Sequence, residues 1–246
     1  MNAVLPAVLI TGVSSGIGHA LADWYLNRGY RVYGLSRRQP DDLLAREHFH
    51  FASLDLNQFD AIAPTLGRLL TGEASLDLVI LNAGILGQFD DLANTPMTDL
   101  QHTMDVNVWS NKVLLDQLFA DGRNVRQVVA ISSGAAVNGG RGWSGYSVSK
   151  AALNMLVMLY SREQPKTHFT SFAPGIVDTA MQEQLRSRTP DDRFPSVETL
   201  RSKQNTPDMP TPAVAAERLA GAMARLPDLV ESGQFTDLRR LGELPG

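Results

Sequence analysis

Short unbroken apolar runs alternate with longer stretches of helical periodicity over the first two thirds of the chain. Ala7–Thr11 (AVLIT) is such a run, and it ends at Gly12. Behind it, Ala20, Leu21, Trp24 and Tyr25 recur at helical spacing within about 17–27, and Arg28-Gly29 stops the pattern. The same reading predicts strands at 30–35 (YRVYGL), 50–54, 76–81 (LDLVIL), 126–131 (RQVVAI) and 167–172 (THFTSF), with a short seventh at 233–236. Helices are predicted at 57–70, 100–119 and 143–162, the last apolar almost all round over 151–160. Strand alternating with helix argues for βαβ units, hence a doubly wound parallel α/β sheet with helices on both faces. Such sheets bind ligands outside the carboxyl ends of their strands, which directs attention to residues just after Thr11, Leu35, Leu54, Leu81, Ile131 and Phe172. No repeat or domain boundary interrupts the pattern, so residues 1–246 are assigned to one domain. The stretch 189–212 differs, with five prolines among many charges. It fits a surface loop or a short helix with poor ends as well as it fits a mobile cover over a cleft, and the wider 180–212 is the candidate substrate cover.

Composition acts by exclusion. AVILMFWYC make up 43% and DEKR 20% of the chain, which rules out disorder. A formal charge of −4 with no basic block argues against nucleic acid as a partner. The absence of cysteine removes disulfides, thiolate zinc sites, iron–sulfur clusters and a cysteine nucleophile. No apolar run reaches 18 residues, so no membrane partner is expected. The N-terminus lacks the features of a signal peptide, and a cytoplasmic location is the default expectation. The five histidines show no metal spacing. His48 and His50 lack a third ligand, and no metal site is expected.

Gly12-Val13-Ser14-Ser15-Gly16-Ile17-Gly18 lies between a predicted strand and a predicted helix. Glycines there let the backbone turn tightly and approach a pyrophosphate, which the helix N-terminus then attracts. No Lys-Ser/Thr pair follows the second glycine, which excludes a P-loop. An NAD site of this kind carries an acid about 20 residues past the loop. Here the second strand ends in Ser36-Arg37-Arg38. Two guanidiniums stand where a carboxylate would repel a phosphate, so the expected cofactor is NADP(H), with Arg37 on the 2′-phosphate and Ser14 and Arg38 assisting. Asp55-Leu56, after the third strand, is the candidate adenine contact.

Ser132-Ser133 closes the fifth strand, and Tyr146 and Lys150 follow four residues apart on one helix face. A phenol ionises near pKa 10, and an adjacent cation lowers that value. A tyrosine so tuned can give a proton to a developing alkoxide or take one from an alcohol.

With the glycine loop, these residues resemble the short-chain dehydrogenase/reductase family over nearly the whole chain. The matching motifs are TGVSSGIG at 11–18, Asp55-Leu56, Asn82-Ala83-Gly84, Asn107, Ser133, Tyr146-x-x-x-Lys150 and Pro174-Gly175. Ser133 precedes Tyr146 by 13 residues, the family's usual interval, which selects Ser133 over Ser132. The resemblance implies a single-domain Rossmann fold whose seven mostly parallel strands run in the order 3-2-1-4-5-6-7. It implies Tyr146 as general acid/base, Lys150 on the nicotinamide ribose, Ser133 on the substrate carbonyl and Asn107 holding a relay water. Asn82-Ala83-Gly84 would line the cofactor cleft. Pro174, Gly175, Ile176 and Val177 would border the nicotinamide, and Thr179 would bond its carboxamide. A homodimer or homotetramer through two long central helices is also implied.

PGIVDTAMQ at 174–182 and SGQFTDL at 232–238 resemble the PGxxDTxMQ and SGxxxD segments of sepiapterin reductases and the benzil reductases similar to them. Asp237 matches the acid that anchors a pterin there, but residues from Arg239 onward depart from the animal enzymes. A diketone or other activated ketone is therefore the expected small-molecule carbonyl substrate, with Trp143, Met181 and Asp237 as candidate contacts. The resulting expectation is an NADPH-dependent carbonyl reductase. The alternatives are an NADP-dependent alcohol dehydrogenase working oxidatively and a non-catalytic dinucleotide-binding sensor.

Overall fold

The run Ala7–Thr11 becomes β1, an interior strand of a parallel sheet, and all five of its residues are buried. Burial on both faces explains its lack of polar alternation. Successive side chains enter opposite cores: Val8 and Ile10 pack on one side, Ala7 and Leu9 on the other. The computed structural model describes residues 5–242. The ends of the expected domain, 1–4 and 243–246, lie outside the described residues.

Six further strands join β1: β2 (Arg31–Ser36), β3 (Phe49–Ser53), β4 (Leu78–Leu81), β5 (Gln127–Ile131), β6 (His168–Ala173) and β7 (Phe235–Asp237). Their spatial order is β3-β2-β1-β4-β5-β6-β7, all parallel, which is the expected 3-2-1-4-5-6-7. The expected strand 76–81 is divided. Asp77 turns inward and its carboxylate accepts from the Ala7 N–H at 2.9 Å. The part before it, Ser75–Leu76, leaves the main sheet to pair with Asn124–Val125. The seventh strand starts later than expected because Gly233 sits at φ +94° in a turn whose N–H reaches the Phe169 carbonyl at 2.8 Å.

One face of the sheet is covered by α1 (Gly16–Leu26) and α10 (Pro212–Leu229), the other by α3 (Phe59–Leu69), α5 (Ser110–Ala120) and α7 (Ser144–Glu163). Between α1 and α3 lies α2 (Asp41–Leu44). The expected helix 100–119 is broken in two, α4 (Met97–Met104) and α5 (Ser110–Ala120), by a wide π turn over Asp105–Trp109. A four-residue α6 (Ala135–Asn138) precedes α7 (Ser144–Glu163). The candidate cover 180–212 contains two helices, α8 (Ala180–Arg186) and α9 (Pro195–Lys203). Pro195 opens α9 where its missing N–H costs nothing, so the proline marks a helix start and not a break. The sequence pattern names no helix at α10 (Pro212–Leu229), which Pro212 likewise opens and Thr211 caps through the Val214 N–H.

A third apolar cluster joins Leu86, Phe89 and Tyr146 to Leu185, Phe194 and Leu200 from α8 and α9. These two helices are therefore built onto the residues past the carboxyl ends of β4 and β5.

Two glycines separate packing from propensity. A methyl on buried Gly18 would lie 2.4 Å from both Asn82 Nδ2 and the Gly12 carbonyl oxygen, whereas one on exposed Gly221 in α10 meets nothing within 4 Å. Gly18→Ala is expected to cost about 1–3 kcal/mol by overpacking. Gly221→Ala is expected to gain about 0.5–1 kcal/mol from helix propensity. Calorimetric Tm values of the two variants should therefore move in opposite directions.

Candidate active site

The site begins where β1 ends. Gly12 takes φ +77° and its N–H donates to the Leu35 carbonyl at 2.6 Å. A methyl there would sit 2.8 Å from Asn82 Nδ2, so only glycine allows this approach. The Thr11 hydroxyl accepts from the N–H groups of Asn82 and Ala83 at 2.9 and 3.0 Å. In return Asn82 Nδ2 donates to the Thr11 carbonyl at 2.8 Å. This stitching holds Asn82-Ala83-Gly84 against the loop that carries Ser14, Ser15 and Ile17 into α1.

Ser36 ends β2 buried, and its hydroxyl donates to the Arg38 carbonyl at 2.7 Å. Ser53 donates to the Arg37 carbonyl at 3.0 Å. The backbone of the arginine pair is thus pinned from two strands while both side chains are exposed. Neither guanidinium pairs with a carboxylate among the described residues. Asp55 accepts from the Asn57 N–H at 3.0 Å, and Leu56 is buried beside it.

Ser132 and Ser133 diverge after β5. The Ser132 hydroxyl donates to Asn154 Oδ1 at 2.6 Å, whereas the Ser133 hydroxyl accepts from the Ala135 N–H at 3.1 Å and lies beside the Tyr146 phenol. Lys150, one turn beyond Tyr146, donates to the Ile131 carbonyl at 2.7 Å, with its Nζ 5.7 Å from the Tyr146 ring centre. Burial pulls the Lys150 amine down to about 8. Burial also raises the Tyr146 phenol, and the Ser133 hydrogen bond only partly opposes it. The expected lowering of Tyr146 by Lys150 is therefore not what the protein alone provides. Desolvation prevails, because the ammonium is turned to a backbone carbonyl.

Asn107 lies in the π turn, fully buried. Its Oδ1 accepts from the Ile85 N–H at 2.8 Å. Its Nδ2 donates to the Ile85 carbonyl and to Ser149 Oγ, both at 2.9 Å. Both amide hydrogens are used as a brace. A relay water would have to be held by the Asn107 main-chain carbonyl, which already accepts from Asn111 at 2.9 Å. Gly84 is closely enclosed by the same groups, since a methyl there would be 3.1 Å from Asn107 Oδ1 and 3.6 Å from Lys150 Nζ.

Beyond Tyr146 the wall is formed by Trp143, backed by a buried aromatic cluster. Trp143 lies 5.7 Å from the Tyr146 ring and 5.4 Å from Phe89, and Phe89 is 5.1 Å from Phe194. The Trp143 indole N–H donates to Ser196 of α9 at 3.0 Å. Pro174, Gly175 at φ +78°, Ile176, Val177, Thr179 and Met181 form the opposite wall. Asp237 is buried at the far end, with both carboxylate oxygens engaged by Arg239. Arg193, near the start of α9, pairs with Asp90 at 3.7 Å and Asp91 at 3.1 Å, and Arg141 pairs with Asp91 at 2.6 Å. A single cavity of about 790 Å³ runs from Arg37 and Arg38 past the glycine loop and Tyr146 to Trp143 and Asp237. It is within the size range of cofactor and ligand pockets. Sequence reasoning did not single out Phe89, Phe194 or Arg239. Only their place in loops after strand ends offered a signal.

The profile of the short chain dehydrogenases matches residues 6–190. A benzil reductase ((S)-benzoin forming) of Bacillus subtilis is 31% identical, with 94% of this chain and 97% of that protein covered. A protein of the same name from Saccharomyces cerevisiae is 30% identical, with 97% and 98% covered. Among solved structures, a short chain dehydrogenase/reductase from Saccharomyces cerevisiae superposes with a TM-score of 0.83 at 25% identity, covering 98% of this chain and all of that one.

The buried amine has a measurable thermodynamic consequence. With Lys150 near 8 in the folded protein and 10.5 when unfolded, the unfolded chain holds the extra proton between those values. The Lys150 contribution to stability therefore rises with pH across that window and is least favourable below it. Lys150→Met is expected to be more stable than the parent at pH 7 by about 1–3 kcal/mol, after allowing for the lost bond to Ile131. The gap in Tm should close towards pH 10, and a gap independent of pH would contradict a buried ammonium.

Proposed function

The chain belongs to the short chain dehydrogenase family, whose members are nicotinamide-dependent oxidoreductases, and from that premise we propose that it is an NADPH-dependent carbonyl reductase acting on ketones and diketones. The observation that carries the proposal is one continuous cavity that borders the glycine loop, two unpaired arginines and the Ser133–Tyr146–Lys150 group. The residues present fit a dinucleotide. Gly12 and Gly16, both at positive φ, border the cavity with bare backbone, and Arg37 and Arg38 offer guanidinium hydrogens to a 2′-phosphate. When bound, a reduced nicotinamide supplies the hydride.

The protein supplies position and the proton. Gly12, Ser14, Ser15, Gly16, Ile17 and Gly18 receive the pyrophosphate, and Asp55 and Leu56 the adenine. Ser36 holds the arginine turn. Asn82, Ala83 and Gly84 form the floor. Pro174, Gly175, Ile176, Val177 and Thr179 orient the nicotinamide, and Lys150 holds its ribose. Ser133 donates to the substrate carbonyl oxygen, and Tyr146 gives that oxygen a proton as charge develops. The raised Tyr146 pKa keeps the phenol in the proton-donating form, which suits reduction. Asn107 fixes the strand end beneath Lys150. The relatives' names refer to benzil, an aromatic 1,2-diketone. The lining residues Trp143, Ile176 and Met181, with Trp143 backed by Phe89, suit a flat apolar substrate of that kind.

We also assign the 180–212 segment as the substrate cover, held to the rim by Arg193. The exposed stripe of Val148, Met155 and Leu159 on α7 is read as the seat of a second copy. Sedimentation should show a dimer or tetramer that Met155→Glu dissociates.

Steady-state oxidation of NADPH with benzil tests the activity. Arg37→Ala should raise the KM for NADPH about 10–100-fold and leave that for NADH unchanged. Tyr146→Phe should lower kcat by about 10²–10⁴ with cofactor binding retained. A parent enzyme that prefers NADH, or a Tyr146→Phe variant with normal turnover, would refute the assignment.

A further inference from the structure

Asp237 and Arg239 end the cavity opposite the arginine pair at residues 37 and 38. The pair is fixed by the sheet. Asp237 is the last residue of β7, in register with Ala173 of β6, one position before Pro174. Its carboxylate is buried, with its side chain only 6% exposed. Oδ1 accepts the Arg239 backbone N–H at 2.9 Å and Nε–H at 2.8 Å, and Oδ2 accepts Nη2–H at 2.6 Å. The carboxylate is thus enclosed by its own partner. Arg239 itself borders the cavity, and its side chain is 65% exposed. Three of its five N–H groups, one on Nη2 and both on Nη1, have no partner among the described residues.

The position of the guanidinium matters. Gly134 directly follows Ser133, and a methyl on it would lie 3.6 Å from Arg239 Nη2 and 4.0 Å from Asp237 Oδ2. Glycine there leaves no β-carbon beside the guanidinium, and Asn138 Nδ2 lies 3.8 Å from the same point. A ligand whose reacting oxygen rests on Ser133 and Tyr146 therefore has its neighbouring atoms facing a ready N–H donor. The ion pair is neutral as a whole, so the donor favours a neutral acceptor over a second anion.

Resting on the carbonyl-reductase reading, we propose that Arg239 is a specificity-determining residue that donates to a second carbonyl oxygen on the carbon next to the one reduced. Asp237 then acts as the positioning residue that orients Arg239, and it makes no contact of its own with substrate. The substrate class is a neutral 1,2-dicarbonyl compound. A donor-rich heterocycle, which needs a free carboxylate, finds none here.

The test compares 1-phenyl-1,2-propanedione with propiophenone, which lacks only the second carbonyl, and with phenylglyoxylate, whose second acceptor is anionic. The variants are Arg239→Lys, Arg239→Met and the double variant Arg239→Met/Asp237→Asn, which leaves no lone buried carboxylate. In both Met variants kcat/KM for the dione is expected to fall about 10–100-fold, chiefly through KM, while that for propiophenone changes less than about threefold. The KM for NADPH should not move, and Arg239→Lys should recover part of the loss. Equal losses on dione and propiophenone would overturn the inference, as would a parent enzyme that prefers phenylglyoxylate to the dione. A parent enzyme that reduces none of the three compounds, nor benzil, would overturn the reductase reading itself and this inference with it.

Discussion

Lys150 carries an amine into the interior with no carboxylate beside it. Its partner among the described residues is the Ile131 carbonyl at 2.7 Å. Taking an ammonium out of water costs several kcal/mol in effective terms, roughly, and a single carbonyl returns little of that. The amine answers by holding its proton less firmly, near 8. The surroundings maintain this arrangement. Gly84 leaves the space, and Asn107 uses its side-chain amide on Ile85 and Ser149. The neighbouring phenol is buried too, and burial pushes it towards the protonated form. Stability alone would favour an apolar residue at position 150, so a lone buried amine is evidence of use.

The fold delivers this arrangement through a constraint legible in the sequence. Ala7–Thr11 and Gln127–Ile131 are apolar without alternation because helices cover both faces of the sheet. A sheet so covered leaves room for ligands only past its strand ends. The glycine loop, Ser36, Asp55, Asn82 and Ser133 could therefore be placed at one edge before any coordinates were in hand. Periodicity on a single long helix did the same for Tyr146 and Lys150. Local signals sufficed wherever the relevant geometry was itself local.

The sequence was opaque where a distant contact decides. Asp77 ends one strand and starts another because its carboxylate finds the Ala7 N–H, 70 residues away. The wide turn at Asn107 exists because the side chain braces Ile85, which no helical periodicity reveals. Prolines at 195 and 212 resemble breaks in a string of letters, yet each opens a helix. The aromatic cluster behind the cavity joins Phe89, Trp143 and Phe194 from three separate segments. Only tertiary packing brings them together.

Charge at the two ends of the cavity illustrates the same limit in a form that bears on function. Read as letters, Arg37-Arg38 and Asp237 suggest a cation at one end and an anion at the other. The structure keeps the first, since both guanidiniums are exposed and unpaired among the described residues. It cancels the second, because Arg239 takes both oxygens of Asp237. The cleft therefore has a strongly positive end and a nearly neutral one with spare N–H donors. A polyanionic nucleotide gains most by placing its phosphates at the first, which leaves the second for a small neutral acceptor.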